Sequence, residues 1–313
     1  MTTFFLSCRL LADPVILLFF SLRLKAVAHK TTKNGCTMKL KALFFLFLFS
    51  SSFAFGKHKA QEPPFFYVVI PSYNNEQYCI RNLDSIVQQD YPHWKAIYIN
   101  DLSSDRTGRM VEDYVTRNNL RSKITVQHNW KRKGMLSNIY HAVRKAKPNW
   151  VVVTVDGDDT LRGKDVFSYL ASVYHNPDVW MTYGNWESEP KERLKSDNDH
   201  IPEYIRATNK FRKYKFCTTQ LRTFYAGLFR KIKKRDLQTK GKFFMAAGDV
   251  AFMMPLLEMS SLGHYRFIEK VIYNYNLHNP INDFKVNGGL QSWSAAQVGK
   301  KKPYKPLKKA TWK

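Results

Sequence analysis

Residues 151–161 read VVVTVDGDDTL, in which five β-favouring residues run into three acids, Asp156, Asp158 and Asp159. Carboxylates a few ångströms apart repel one another, so a cluster aimed at one point calls for a cation, a dense donor set or open water. Hard divalent ions such as Mn²⁺ or Mg²⁺ take oxygen ligands, and they commonly engage one or two carboxylates together with the phosphates of a ligand. In a chain of formal net charge +25, acids at a strand end fit a metal that bridges the protein to a diphosphate. Other polar groups stand at comparable places. They are Ser72-Tyr73-Asn74 in VVIPSYNN, Asn100-Asp101 in IYIND, and Asp249 at the start of the apolar run GDVAFMMPLLE. Each has a plain structural reading beside a chemical one: Asn74 and Asp249 as helix caps, Asp101 and Asp159 as turn formers. Lys133 and Arg222 could add positive charge to phosphates, although solvated surface is the expected place for either. His278, alone after a strand, is expected to be neither ligand nor acceptor contact.

The elements that must position these groups can be read from the pattern of apolar residues. FYVVIPSYN, WKAIYIND, ITVQHN and WVVVTVDGDD predict strands, bounded by Pro, Asn and Asp. Between them QYCIRNLDSIVQQ, GRMVEDYVTRN and MLSNIYHAVRKA carry apolar residues at helical spacing, as at Ile80, Leu83, Ile86 and Val87. Strand and helix alternating at this pace predict an α/β fold with a doubly wound, mostly parallel sheet. Nearly all-apolar strands are what a sheet covered on both faces requires. Ligands of such sheets bind beyond the carboxyl ends of the strands, which is where the polar clusters fall. VWMTYGNWE predicts a fifth strand and 188–215 a polar loop. TQLRTFYAGLFRKIKKRD predicts a basic helix, and RFIEKVIYNYNLH is strand-like.

The totals exclude some classes. The chain has 313 residues and ample apolar content for a globular core, and it has four cysteines without CxxC spacing, which gives neither a zinc knuckle nor a disulfide framework. A bridge between Cys79 and Cys217 stays open at this stage. The positive charge implies an anionic partner: nucleic acid, a lipid surface or a phosphorylated substrate. Basic and aromatic residues interleave between 204 and 235, as in a nucleic-acid or polyanion binder, yet strand-end acids in a binding cleft would repel phosphate unless a metal intervened. Starting at Met38, MKLKALFFLFLFSSSFAFG reads as a secretory signal peptide ending near 54, with a retained anchor as the alternative. Residues 1–37 hold a second apolar stretch. They are either an untranslated extension or, if made, one arm of a membrane-associated hairpin.

VVIPSYNNEQYCIRNLDSIVQQDY, IYINDLSSDRTG, NWKRKGMLSNIYHAV and VTVDGDD, in that order and spacing, resemble the donor-site blocks of family 2 glycosyltransferases. The resemblance implies a GT-A fold and inverting transfer of a sugar from a nucleoside diphosphate, commonly UDP. It implies that Asp101 contacts the base beside Ser72, Tyr73 and Asn74. Asp156, Asp158 and Asp159 would form a DxD-type motif for ribose and metal (Mn²⁺ or Mg²⁺), with the metal contact at Asp158 first and Asp159 second. Lys133 would stand near the phosphates, and Asp249 would be the catalytic base, with Glu187, Glu189 and Glu192 as reserves. Two departures stand out: Leu102 replaces the usual glycine after Asp101, and Gly248 replaces the acid before Asp249. The chain then divides into 1–37, a signal or anchor at 38–56, a nucleotide-sugar-binding half at 65–190, a less regular acceptor-binding half at 191–285, and a basic tail at 286–313 expected to be disordered. Expected partners are a nucleotide sugar and a glycan, lipid or protein acceptor, with a membrane surface as a further one and no nucleic acid. A fold of this type that binds without catalysing remains the main alternative.

Overall fold

The apolar runs form strands because both sheet faces are covered, and all seven residues of β1 (Phe66–Ser72) are buried. The computed structural model describes residues 62–189, 196 and 198–313, so the expected signal or anchor at 38–56, the extension before it and Glu192 lie outside the described residues. β2 (Trp94–Asn100), β3 (Ile124–His128) and β4 (Val151–Thr154) pair in parallel with or beside β1. α1 (Cys79–Val87), α2 (Thr107–Arg117) and α3 (Met135–Val143) fill the crossovers, as their spacing predicts.

β5 (Thr160–Leu161), α4 (Val166–Tyr174), β6 (Met181–Gly184), β7 (Glu187–Glu189), α5 (Glu203–Ala207) and β8 (Arg222–Tyr225) follow. The chain continues through α6 (Ala226–Phe229), β9 (Gln238–Thr239), β10 (Lys242–Phe243), α7 (Gly248–Met259), β11 (Tyr265–Ile268) and β12 (Tyr273–Asn276). It closes with α8 (Asp283–Val286) and α9 (Gly288–Gly299). The main sheet has the order β11-β6-β8-β4-β1-β2-β3, with β8 antiparallel to both neighbours. A second sheet, β5-β12-β7, lies next in sequence to the acidic loop.

Two expectations are corrected, and one open alternative is closed. The stretch 219–236 is not one basic helix: Arg222–Tyr225 is a fully buried strand, and its Thr223 and two aromatics suit the slot between β4 and β6. Residues 286–313 are not a disordered tail. α9 occupies Gly288–Gly299, the Tyr304 N–H donates to buried Glu258 at 2.9 Å, and Trp312 packs edge-on against Trp180 at 5.3 Å. Isolated apolar residues among lysines anchor it, a signal that average composition hides. Cys79 and Cys217 are buried free thiols, so no bridge joins them. Within the expected polar loop at 188–215, Ile205 and Phe211 are buried, on α5 and on the single turn at Phe211–Lys213.

Candidate active site

Beyond the carboxyl ends of β1, β2 and β4 lies a cavity of about 440 Å³. Ser72, Tyr73 and Asp101 form one part of its wall, Asp156, Asp158 and Asp159 another, and Arg222 and Asp249 a third. Asn74, Lys133 and His278 are not wall residues.

Asp101 is 3 % exposed and holds the following loop in place. Its Oδ1 accepts from Asn129 Nδ2 at 2.7 Å and its Oδ2 from the Gly134 N–H at 2.8 Å, with the Lys133 N–H bonding to the same carboxylate at 3.0 Å. Replacing Asp101 would therefore unpin residues 129–134 as well as remove any contact to a base. Asn74 works from outside the wall, its Oδ1 accepting the Ser104 N–H at 2.9 Å, while its own N–H donates to Ser103 Oγ at 2.9 Å. The turn between these contacts survives the loss of glycine because Leu102 itself adopts φ 61°. A left-handed leucine is strained by about 1–2 kcal/mol, and Leu102 is 47 % exposed, so little packing offsets the strain. Leu102→Gly is expected to stabilise the fold by about 1 kcal/mol net of glycine's chain entropy, seen as a rise in Tm of a few degrees.

The acidic loop is placed from behind. Asn82, fully buried on α1, donates through Nδ2 to the Asp156 carbonyl at 2.9 Å and the Asp159 carbonyl at 2.7 Å. The three acids do not converge as their spacing invites, and among the described residues no group of three or more Asp, Glu, His or Cys side chains is placed to hold a metal. Asp159 is 1 % exposed and is drawn into the second sheet, where its oxygens accept from Tyr273 Oη at 2.7 Å and the Asn276 N–H at 2.7 Å. Burial, then the charges of Asp158 and Asp156, push its carboxyl well above the usual carboxylate range. Asp158 accepts from Asn279 Nδ2 at 2.6 Å, and burial raises its pKa to about 6, with that bond opposing and Asp156 adding to the rise. Asp156 accepts from Gln220 Nε2 at 3.1 Å.

Gly157 lets this loop approach β1, since a Cβ there would lie 2.5 Å from both Cβ and Oγ of Ser72. Gly157→Ala is expected to push the loop off β1 and weaken nucleotide binding about tenfold or more with the fold retained, as calorimetry beside circular dichroism would show.

Asp249 lies in the first turn of α7 but is not its cap: the cap position is Ala247, at φ 50°, and no side chain caps it. Instead Asp249 Oδ2 accepts from Arg222 Nη2 at 2.7 Å, and Oδ1 accepts the Val250 N–H at 2.9 Å. Arg222 is 4 % exposed, which corrects its expected place on the solvated surface. It stands opposite Thr154 on β4, so the antiparallel strand carries it to the cavity. The arrangement gives one wall the carboxyl groups of Asp156 and Asp158, and another the Asp249 side chain held by a buried guanidinium.

Several contributors escaped the sequence reading. Asn82 was findable, because it interrupts the apolar stripe of α1 formed by Cys79, Leu83 and Ile86. Tyr273 and Asn276 come from the strand-like stretch and Asn279 from just beyond its end, 114 or more residues from the acids they bond. Arg132 gave no signal, yet its guanidinium stacks 3.2 Å from the centre of the Tyr73 ring and lies 3.4 Å from Asp101 Oδ2.

A mostly parallel sheet with its ligand cavity at the strand ends and a smaller sheet beside an acidic loop defines a GT-A-type fold. The family model for glycosyl transferase family 2 matches residues 67–235, more than half of the chain, and the chain belongs to that family. It is similar to the poly(ribitol-phosphate) beta-N-acetylglucosaminyltransferase TarS of Staphylococcus aureus, 32% identical over 120 residues, 36% of this chain and 20% of that protein. It is also similar to the uncharacterized glycosyltransferase EpsJ of Bacillus subtilis, 32% identical over 96 residues, 31% of this chain and 26% of that protein. The matched regions thus span about a fifth to a quarter of these relatives' lengths. Among solved structures, S. aureus TarS 1–349 in complex with UDP gives a TM-score of 0.51 at 18% identity, covering 75% of this chain and 64% of that one.

Proposed function

We propose that the protein transfers a sugar from a nucleoside diphosphate sugar, with UDP as the nucleotide, to an acceptor hydroxyl with inversion. The observation that carries this reading is one cavity walled by Asp156 and Asp158 on one side and the Asp249–Arg222 pair on another. Family membership and the UDP complex of TarS support the donor class.

Asp158, with Asp156 beside it, offers the oxygen donors that Mn²⁺ or Mg²⁺ prefers, and one or two carboxylates are the usual protein share of such a site. When bound, the cation would supply charge neutralisation at the departing diphosphate. Asp249 takes the proton of the acceptor hydroxyl as its oxygen bonds to the anomeric carbon, and the bond from that carbon to the diphosphate breaks on the opposite face. Arg222 fixes the direction of the Asp249 carboxyl group. Tyr73, Asp101 and Ser72 surround the space for the nucleoside.

Titration calorimetry with UDP, with and without Mn²⁺, followed by a nucleotide-release assay over a panel of nucleotide sugars, tests the reading. Metal-dependent UDP binding and release from at least one donor are expected. Absence of nucleotide binding would remove the proposal, and binding without release from any donor would leave a fold that binds only.

A further inference from the structure

The helix behind the acidic loop carries a row of polar side chains. Asn82 and Ser85 lie on α1 and Gln89 just past its end, at i, i+3 and i+7, so the three share one side. All three bond to the backbone of 156–167. Asn82 Nδ2 donates to the Asp156 and Asp159 carbonyls at 2.9 and 2.7 Å, and Ser85 Oγ accepts the Leu161 N–H at 3.1 Å. Gln89 Nε2 donates to the Gly163 carbonyl at 2.7 Å, and Gln89 Oε1 accepts the Phe167 N–H at 3.1 Å. The row grips the chain from the acidic loop to the start of α4.

Asn82 differs from the other two. It is fully buried beside Cys79, Leu83 and Ile86, and its Oδ1 has no hydrogen-bond partner. With two carbonyls in front of it, the amide can only turn its NH2 toward the loop, which leaves the oxygen behind in apolar surroundings. An unpaired buried acceptor weakens a fold, and leucine at this place would avoid it. What the amide provides is two donors on one nitrogen, one for each end of Asp156-Gly157-Asp158-Asp159. The Asp159 N–H also donates to the Asp156 carbonyl at 3.1 Å, so the loop closes on itself at the two residues that Asn82 pins. Asp158 stands between the pins. Mutual repulsion of the carboxylates acts to spread such a loop, and the pins oppose it.

We infer that Asn82 is a positioning residue for the metal-bound donor. It is not a wall residue, and it acts by holding the backbone from which Asp156 and Asp158 present their oxygens, so that a cation meets a preset pair of ligands. The effect on affinity rests on the metal and donor reading given above, whereas the pinning of the loop is independent of it.

Asn82→Leu keeps the size of the side chain and removes both donors. Calorimetry should show metal-dependent UDP affinity falling about 10- to 100-fold. Uridine binding in chelator, followed by saturation-transfer NMR, should stay at the wild-type value, with the fold retained by circular dichroism. Hydrogen exchange should quicken in the peptide covering 155–161 and not in peptides of β1 or β2. Asn82→Ala should give the same split if leucine prevents folding. Ser85→Ala, which releases Leu161 beyond the acids, should lower stability and leave UDP affinity in Mn²⁺ unchanged. The proposal is overturned if the Asn82 variants bind UDP and Mn²⁺ as wild type does, if uridine affinity falls by the same factor, if Ser85→Ala weakens UDP binding equally, or if exchange at 155–161 does not change. Wild-type protein without metal-dependent UDP binding would count against the transferase reading, and faster exchange at 155–161 in the variants would then still uphold the pinning.

Discussion

Asp249→Asn is expected to lower turnover by about two orders of magnitude or more while nucleotide-sugar affinity stays close to wild type. The amide has nearly the size of the carboxylate but only one acceptor oxygen, so it keeps the bond from Arg222 and loses the local one from the Val250 N–H, or the reverse, with little change of shape. What it cannot do is take a proton from a hydroxyl. Arg222, 4 % exposed, would then face a neutral partner, which costs some stability, and the comparison belongs at a temperature where circular dichroism shows both proteins folded. Nucleotide release measures the rate and calorimetry the affinity. If the variant keeps most of its rate, Asp249 is not the base, and Glu187 and Glu189 of β7 become the next acids to test.

Asp158→Asn should separate stability from binding in opposite directions. The pKa of Asp158 rises from 3.8 to about 6, chiefly through burial. A folded-state pKa above the unfolded value means that the folded chain holds the proton more tightly, so stability falls as pH rises through the interval from 3.8 to about 6. Above that interval the ionised side chain costs up to about 3 kcal/mol, a figure that contact with solvent reduces. In the absence of metal the variant should be more stable than wild type at neutral pH, with the difference vanishing near the ordinary carboxylate pKa. Metal-dependent UDP binding should be lost, and in the wild type the same binding should weaken as pH drops below about 6, because protons compete with the cation. Urea denaturation at two pH values and calorimetry with UDP and Mn²⁺ measure both effects. Unchanged metal-dependent affinity in the variant would remove the metal role from Asp158.

The donor half was legible because its signals are local. Four apolar runs each end in a polar cluster, and three amphipathic segments lie between them, so strand, helix and strand-end chemistry all appear within a few residues of one another. The acceptor half depends on distant partners. Arg222 reads as one more cation in a basic stretch, and only the antiparallel pairing of β8 with β4 makes it the partner of Asp249. Asp159 reads as a third arm of an acidic cluster, and only the arrival of Tyr273 and Asn276 on β12 turns it into a buried anchor. The C-terminal segment was misread for a related reason. Its fold depends on widely spaced Tyr304, Leu307 and Trp312, whose partners Glu258, Met259 and Trp180 lie far off in the chain.

The placement of β8 also governs how the chain matures during synthesis. β4, with its run of three valines, can pair with β1 once residue 154 has left the ribosome, but its other edge stays open until Arg222–Tyr225, 68 residues further on, has emerged as well. Until then the nascent protein presents an unpaired, apolar parallel strand, a template for pairing with another chain. β6 waits for the same strand, and its other neighbour, β11, is made later still. Slow translation between 155 and 222 would lengthen that exposure, and a chaperone that covers β4 would shield it.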